Sequence, residues 1–206
     1  MKFEIRDFGF GIAETREENG TGIVEGYAVV FDSPADIGGM FRETIDRDAL
    51  IGTDMTDVRL CLNHDTGYVY ARSRRNNGNS TLQLMPDEKG LKIKAKLAVN
   101  ESPKAQDYYT AVKRGDMDKM SFIFSVEDEE WRDLESDYPT RIIKKIGKIV
   151  EVGAVTFPAY QETSISARSS EVLEKAKETL DNVKRSAVKE ALDSEIEILK
   201  TKIQIL

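Results

Sequence analysis

The chain contains one histidine, His64, in the run Asn63-His64-Asp65 that follows an apolar, strand-like stretch at residues 58–62. A hydroxyl nucleophile working near neutral pH needs a base to take its proton, and imidazole is the side chain that titrates there. Chemistry of that kind in this chain runs through His64. The matching hydroxyl is Ser121, in Lys119-Met120-Ser121-Phe122-Ile123-Phe124, where a small polar residue interrupts a bulky strand. The pleat of a strand puts Ser121, Ile123 and Ser125 on one face and Phe122 and Phe124 on the other. The aromatic pair suits a core, so Ser121 is expected to face away from it, with Ser125 as the alternative hydroxyl. The bland reading is that a lone histidine on a half-buried strand is a satisfied structural residue.

A carboxylate is the third requirement, to orient the imidazole and stabilise its protonated form. Asp65 is adjacent to His64, but if the strand continues, successive side chains point to opposite faces. Glu151 lies inside Ile149-Val150-Glu151-Val152-Gly153-Ala154-Val155. A buried carboxylate there would need a compensating partner, and a histidine would serve; the alternative is an edge strand with Glu151 in water. Cys61 as a nucleophile would sit three residues from His64, on the other face of one strand, so it reads as a packing residue. One histidine and one cysteine cannot supply the usual nitrogen and sulfur ligands of zinc, and no glycine-rich phosphate loop precedes a helix. No metal and no cofactor are expected.

The elements that must position these residues are mainly strands. Residues 3–8, 22–31, 58–62, 69–74, 81–85 and 91–99 are rich in apolar and β-branched side chains, and Asn-Gly, Ser-Pro and Pro-Asp separators lie between them. Short helical material is expected at residues 44–50. Ser102-Pro103 is a capping hydroxyl followed by a first-turn proline, so a helix should run from there to Arg114 and stop at Gly115. Ala105, Tyr108 and Val112 line one face of it. Strands return at residues 120–126 and 141–157, joined by the acidic connector 127–137, which reads as a long exposed hairpin tacked down by Trp131. The fold class is α+β, with an antiparallel, barrel- or sandwich-like sheet.

After Arg168 the composition turns to Lys, Glu, Ala and Leu, without Gly or Pro. Apolar residues recur at Leu173, Ala176, Leu180, Val183 and Ala187, and again at Leu192, Ile196, Leu199, Ile203 and Leu206, in alternating three- and four-residue steps. The offset between the two series resembles a coiled-coil stutter. This places a domain over residues 1–168 and a helical, self-associating tail over 169–206, with homo-oligomers expected. The formal net charge of −7 gives no clustered basic surface for nucleic acid, and Arg72-Ser73-Arg74-Arg75 before Asn76-Asn77-Gly78-Asn79 reads as a hairpin tip. Cys61, the only cysteine, excludes an internal disulfide. No run approaches a membrane span, so a cytoplasmic protein without membrane contact is expected.

Five segments in order, GYAVVF at 26–31, FRETIDRDAL at 41–50, LNHD at 62–65, GDMDKMSFIF at 115–124 and EVGAVTFPAY at 151–160, together resemble the prohead maturation proteases of tailed bacteriophages over residues 3–168. The resemblance implies a serine endopeptidase that cleaves scaffold and major-capsid-protein segments inside the assembling prohead in the host cytoplasm. It implies a β-barrel ringed by helices, as in herpesvirus assemblin. The family's histidine falls on His64, its serine on Ser121 and its acidic position on Glu151. Glycine is common in that family where this chain has Ile123 and Ala71, and serine where it has Gly153. The tail would tether the protease in the shell or be removed by self-cleavage near residues 167–171. The rival reading is a noncatalytic capsid-assembly protein that binds through its β domain and oligomerises through its helix.

Overall fold

Ile23, Val24, Ala28 and Val29 are buried along a strand that opens with a turn at Asn19-Gly20, both with positive φ, and this strand organises half of the sheet. In the computed structural model, described over residues 2–76, 78–156 and 167–204, with side chains for 2–6, 14–76, 78–156 and 173–201, ten strands and two helices are present. In chain order they are β1 (Glu4–Glu18), β2 (Thr21–Val30), β3 (Ala35–Ile37), β4 (Phe41–Ile45), β5 (Asp57–Leu62), β6 (Ala71–Arg74), β7 (Leu82–Pro86) and β8 (Gly90–Leu97). Helix α1 (Pro103–Arg114), β9 (Lys119–Arg132), β10 (Thr140–Val155) and helix α2 (Ala167–Gln204) follow. The chain divides into two units, Met1–Ser164 and Ile165–Leu206.

The long strands β9 and β10 form the spine of the first unit. On one side β9 pairs with β1, which continues through β2 and β8 to β7; on the other, β10 pairs with β4 along its first half and β5 along its second. The circuit returns on itself where the segment entering β7 meets β6, with Arg72 N donating to Thr81 Oγ1 at 2.9 Å and Arg74 N to Ser80 Oγ at 3.1 Å. Serine and threonine hydroxyls thus stand in for a backbone ladder at this seam. The interior is filled from all sides by Val24, Ile45, Leu60, Leu84, Ile93 and the stacked Phe122 and Phe124, whose ring centroids are 4.3 Å apart. Each large apolar side chain buried this way contributes roughly 1.5–3 kcal/mol.

The sheet is not wholly antiparallel as expected from the sequence. Both β4 and β5 run parallel to β10, because each reaches it by a crossover rather than a hairpin. The ring of helices also fails to appear: among the described residues the first unit holds α1 alone. Residues 44–50 form no helix; Thr44 and Ile45 end β4, and successive turns follow, with Ala49 N bonded to Asp46 O and Ile51 N to Asp48 O. Strand β1 extends well beyond residue 8, and the acidic connector is mostly strand, since β9 runs to Arg132. Glu127, Glu129 and Glu130 in it are paired, with Lys145 at 2.7 Å, with Arg141 and with Arg132, and Trp131 packs edge-on to Phe41 at 5.0 Å.

Helix α1 begins and ends as its sequence predicts. Ser102 caps it through Ala105 N, Pro103 opens the first turn, and Gly115 closes it at φ 78°, a left-handed conformation that costs glycine little. Its buried face comprises Ala105, Tyr108, Tyr109 and Val112.

A buried ionic cluster ties β1, β4, β9 and β10 together. Glu43, fully buried, accepts from Arg6 Nε at 2.5 Å and from Arg141 Nη1 at 2.9 Å. Glu4 accepts from both guanidiniums, at 2.5 and 2.7 Å, and Glu129 receives Arg141 Nε at 2.9 Å. Burial alone would raise the Glu4 carboxyl, but the two arginines bring it down to about 2.

Candidate active site

The site lies on the face of β9 and β10 turned away from the apolar core. Phe122 and Phe124 point inward, fully buried, so the pleat turns Ser121 outward, as the alternation predicts. Gly153 of β10 stands opposite Ser121 and Glu151 stands opposite Ile123.

Glu151 reaches this face through an irregularity in β10. Ile149 pairs with the core residue Phe124, and Glu151 pairs with the next residue back, Ile123. Two steps along β10 therefore correspond to one along β9, and Val150 is the extra residue of a β-bulge. In an unbroken strand that paired Val150 with Ile123, Ile149 and Glu151 would share the core face; the bulge turns Glu151 onto the face of Ser121. Glu151 is 2 % exposed and belongs to a strand paired on both sides, which excludes the solvated-edge reading.

His64 arrives from the opposite side. Strand β5 stops at Leu62, and both Asn63 and His64 take positive φ, 51° and 59°. Asn63 makes this turn affordable, since asparagine enters the left-handed region more readily than most residues. It also fixes the turn to β10: Asn63 N donates to Ala154 O at 3.0 Å, and its Oδ1 accepts from Thr156 N at 2.8 Å. Two left-handed residues reverse the chain and carry the imidazole back over the sheet.

The three side chains meet in a line. His64 Nδ1 lies 2.5 Å from Glu151 Oε2, and His64 Nε2 lies 2.7 Å from Ser121 Oγ. With Glu151 ionised, Nδ1–H donates to the carboxylate, Nε2 is left with its lone pair toward the hydroxyl, and Ser121 donates to it. Ser121 Oγ also lies 3.1 Å from the carbonyl oxygen of Arg6, a second acceptor supplied by β1. Serine and glutamate are buried and the histidine side chain is 12 % exposed, so these interactions are sheltered from bulk water.

The remaining candidates stand apart from this arrangement. Asp65 Oδ1 accepts from Gly67 N at 2.9 Å and caps the turn after His64. Ser125 is buried with its hydroxyl unsatisfied among the described residues. Cys61 is fully buried, and burial, with the Glu151 charge adding to it, pushes its thiol up to about 12; it is inert packing. Among the described residues no group of three or more metal-ligating side chains is assembled. The segment 157–160 of the last resemblance motif lies outside the described residues.

Tyrosines add a support that the sequence reading did not name. Tyr108, buried, accepts from Ala154 N at 3.2 Å and so pins α1 to the end of β10. Its ring lies 4.6 Å from Tyr70, which packs at 4.8 Å against Tyr68, and Tyr68 is bonded to the cap residue Ser102 at 2.7 Å. This ladder joins the loop after His64 to α1. The Gly67-Tyr68-Val69-Tyr70 region carries a signal only in its aromatic density, which does not name a partner.

Comparison with known proteins finds the family that the motifs resemble. A family model described as caudovirus prohead serine protease matches residues 11–179. The prohead protease of Enterobacteria phage HK97 is 30% identical over 149 residues, which cover 72% of this chain and 61% of that relative. Among solved structures, the bacteriophage T4 capsid assembly protease, gp21, aligns with a TM-score of 0.43 at 11% identity, covering 76% of this chain and 98% of that one.

Proposed function

Because the chain belongs to the caudovirus prohead serine protease family, we propose that it is a serine endopeptidase of capsid maturation in which Ser121 is the nucleophile, His64 the general base and Glu151 the residue that holds the imidazole. The observation that carries this reading is the single imidazole bonded through one nitrogen to Ser121 and through the other to Glu151.

Ser121 Oγ attacks the carbonyl carbon of the scissile peptide bond as its proton passes to His64 Nε2. The imidazolium so formed is stabilised by Glu151, to which Nδ1–H remains bonded. His64 then gives the proton to the leaving amine nitrogen, the C–N bond breaks, and the acyl group stays on Ser121. A water enters, loses a proton to His64 and releases the new carboxyl terminus, restoring the hydroxyl. Positioned base catalysis of this kind contributes roughly 10² to 10⁴ in rate.

The substrates are segments of the major capsid protein and its scaffold, met inside the prohead in the host cytoplasm. Residues 1–168 carry the peptidase and 169–206 form a tail that retains it in the assembling shell. Kinship with the barrel of herpesvirus assemblin belongs to the same proposal, supported by the eight-strand circuit that returns to β6. The test is to incubate the purified chain with its own capsid and scaffold proteins and locate new termini by mass spectrometry. Discrete cleavages lost in Ser121→Ala support the assignment; the same termini produced by that variant refute it.

A further inference from the structure

We infer that the C-terminal part of α2 pairs with a second copy of this chain as a parallel two-stranded coiled coil, with its seam at Leu192, Ile196, Leu199 and Ile203. Every residue from 188 to 201 of this helix is exposed, including Val188 at 69%, Leu192 at 54%, Ile196 at 40% and Leu199 at 57%. An apolar stripe of this kind, on a helix with no glycine or proline in it, needs a covering surface.

The residue types choose the occupant. With Leu192 and Leu199 at the d positions of a heptad, Ile196 and Ile203 fall at a, and β-branched a residues with leucine at d favour two strands. In a parallel pair the isoleucines face isoleucines and the leucines face leucines. The flanking charges fit the same pairing, because Glu195 occupies g and Lys200 the following e, the two positions that meet across a parallel interface. The seam has a defined start: the preceding a and d positions are Lys189 and Arg185, so the repeat does not extend toward the first half of the helix. The partner is thus a second α2 in register, and this inference is independent of the peptidase assignment.

The experiment uses the full chain carrying Ser121→Ala, so that proteolysis cannot remove the tail. Light scattering across a concentration series should show the mass rising toward twice the 23.2 kDa of one chain. Leu192→Asp with Leu199→Asp should return it to one chain. Lys200→Glu should weaken the dimer, and adding Glu195→Lys should restore it, a recovery that damage to folding would not give. Cysteine introduced by Ile196→Cys should oxidise to a covalent dimer, while Glu190→Cys, on the outer face, should not; Cys61 is buried and silent. A monomer at all concentrations, a trimer or larger mass, crosslinking at both sites alike, or no recovery in the double charge swap would each overturn the proposal.

Discussion

Glu151 uses one carboxylate oxygen on His64, and its other oxygen, Oε1, is buried without a hydrogen-bond partner among the described residues. That arrangement depends on close approach by Gly153: a Cβ there would lie 2.1 Å from the Cys61 carbonyl oxygen and 2.8 Å from Glu151 Oε1. Any side chain at this place would meet the same backbone atom, so β5 sits closer to β10 than a Cβ on residue 153 tolerates. Gly153→Ala is therefore expected to displace β5 or the carboxylate and to reduce cleavage of capsid protein strongly, measured beside a circular dichroism melt. Ser121→Ala and His64→Gln should each lower the rate by about 10² to 10⁴ or more with the fold intact, and Glu151→Gln by a comparable factor, since a carboxamide cannot stabilise an imidazolium. Cys61→Ser should leave the rate unchanged, because the thiol is protonated and enclosed; loss of activity on thiol alkylation would contradict this. The meeting of Ser121, His64 and Glu151 was legible at this scale for a physical reason. One histidine leaves one base, and a carboxylate in an apolar strand demands a partner.

Geometry at the scale of elements was harder to read. The reading of faces held only if β5 continued through His64, whereas the chain turns at Asn63 and His64, both left-handed; these residue types tolerate that conformation but do not demand it. The bulge at Val150 is equally silent in sequence, because Ile149-Val150-Glu151 would alternate normally in an unbroken strand. Deleting Val150 should leave cleavage measurable, because the regular strand still sets Glu151 opposite Ile123 on the face of Ser121; complete loss of cleavage by a folded deletion variant would mean that the bulge itself fixes the carboxylate. The ionic cluster escaped prediction because its members are as far apart as Glu4 and Arg141 in sequence. It clamps β1, whose Arg6 carbonyl accepts from Ser121, against β4 and β10. Glu43→Ala would remove the most buried of the carboxylates and leave Arg6 with Glu4 and Arg141 with Glu4 and Glu129, a loss of at most about 3–5 kcal/mol that urea unfolding would register. The cluster also carries a pH signature. The Glu4 carboxyl is lower in the folded chain, near 2, than its ordinary 4.5, so the stability it contributes is full above pH 4.5 and is lost as pH falls toward 2. Glu4→Gln should flatten the acid limb of the stability curve in that window, and an unchanged limb would place the acid sensitivity elsewhere.

At the scale of the whole molecule, strand-rich character and the capped helix α1 follow from patterns within short windows, and those windows were sufficient. The order of the sheet did not follow, because parallel pairing of β4 and β5 with β10 is decided by crossovers spanning most of the chain. The division of labour between the two units is where the remaining prediction lies. A protease confined with its substrates inside a shell acts at an effective concentration set by its retention rather than by its intrinsic affinity. If retention belongs to the tail, removing residues 188–206 should leave cleavage of a soluble capsid-protein segment unchanged, since Ser121, His64 and Glu151 all belong to the first unit. The same truncation should deplete the protease from isolated proheads, counted by quantitative mass spectrometry against capsid protein, and leave capsid processing incomplete. Depletion with unchanged activity in solution separates recruitment from chemistry. Normal protease content in shells built with the truncated chain would instead assign recruitment to the β unit, and loss of soluble activity would mean that the tail supports the fold of the site itself.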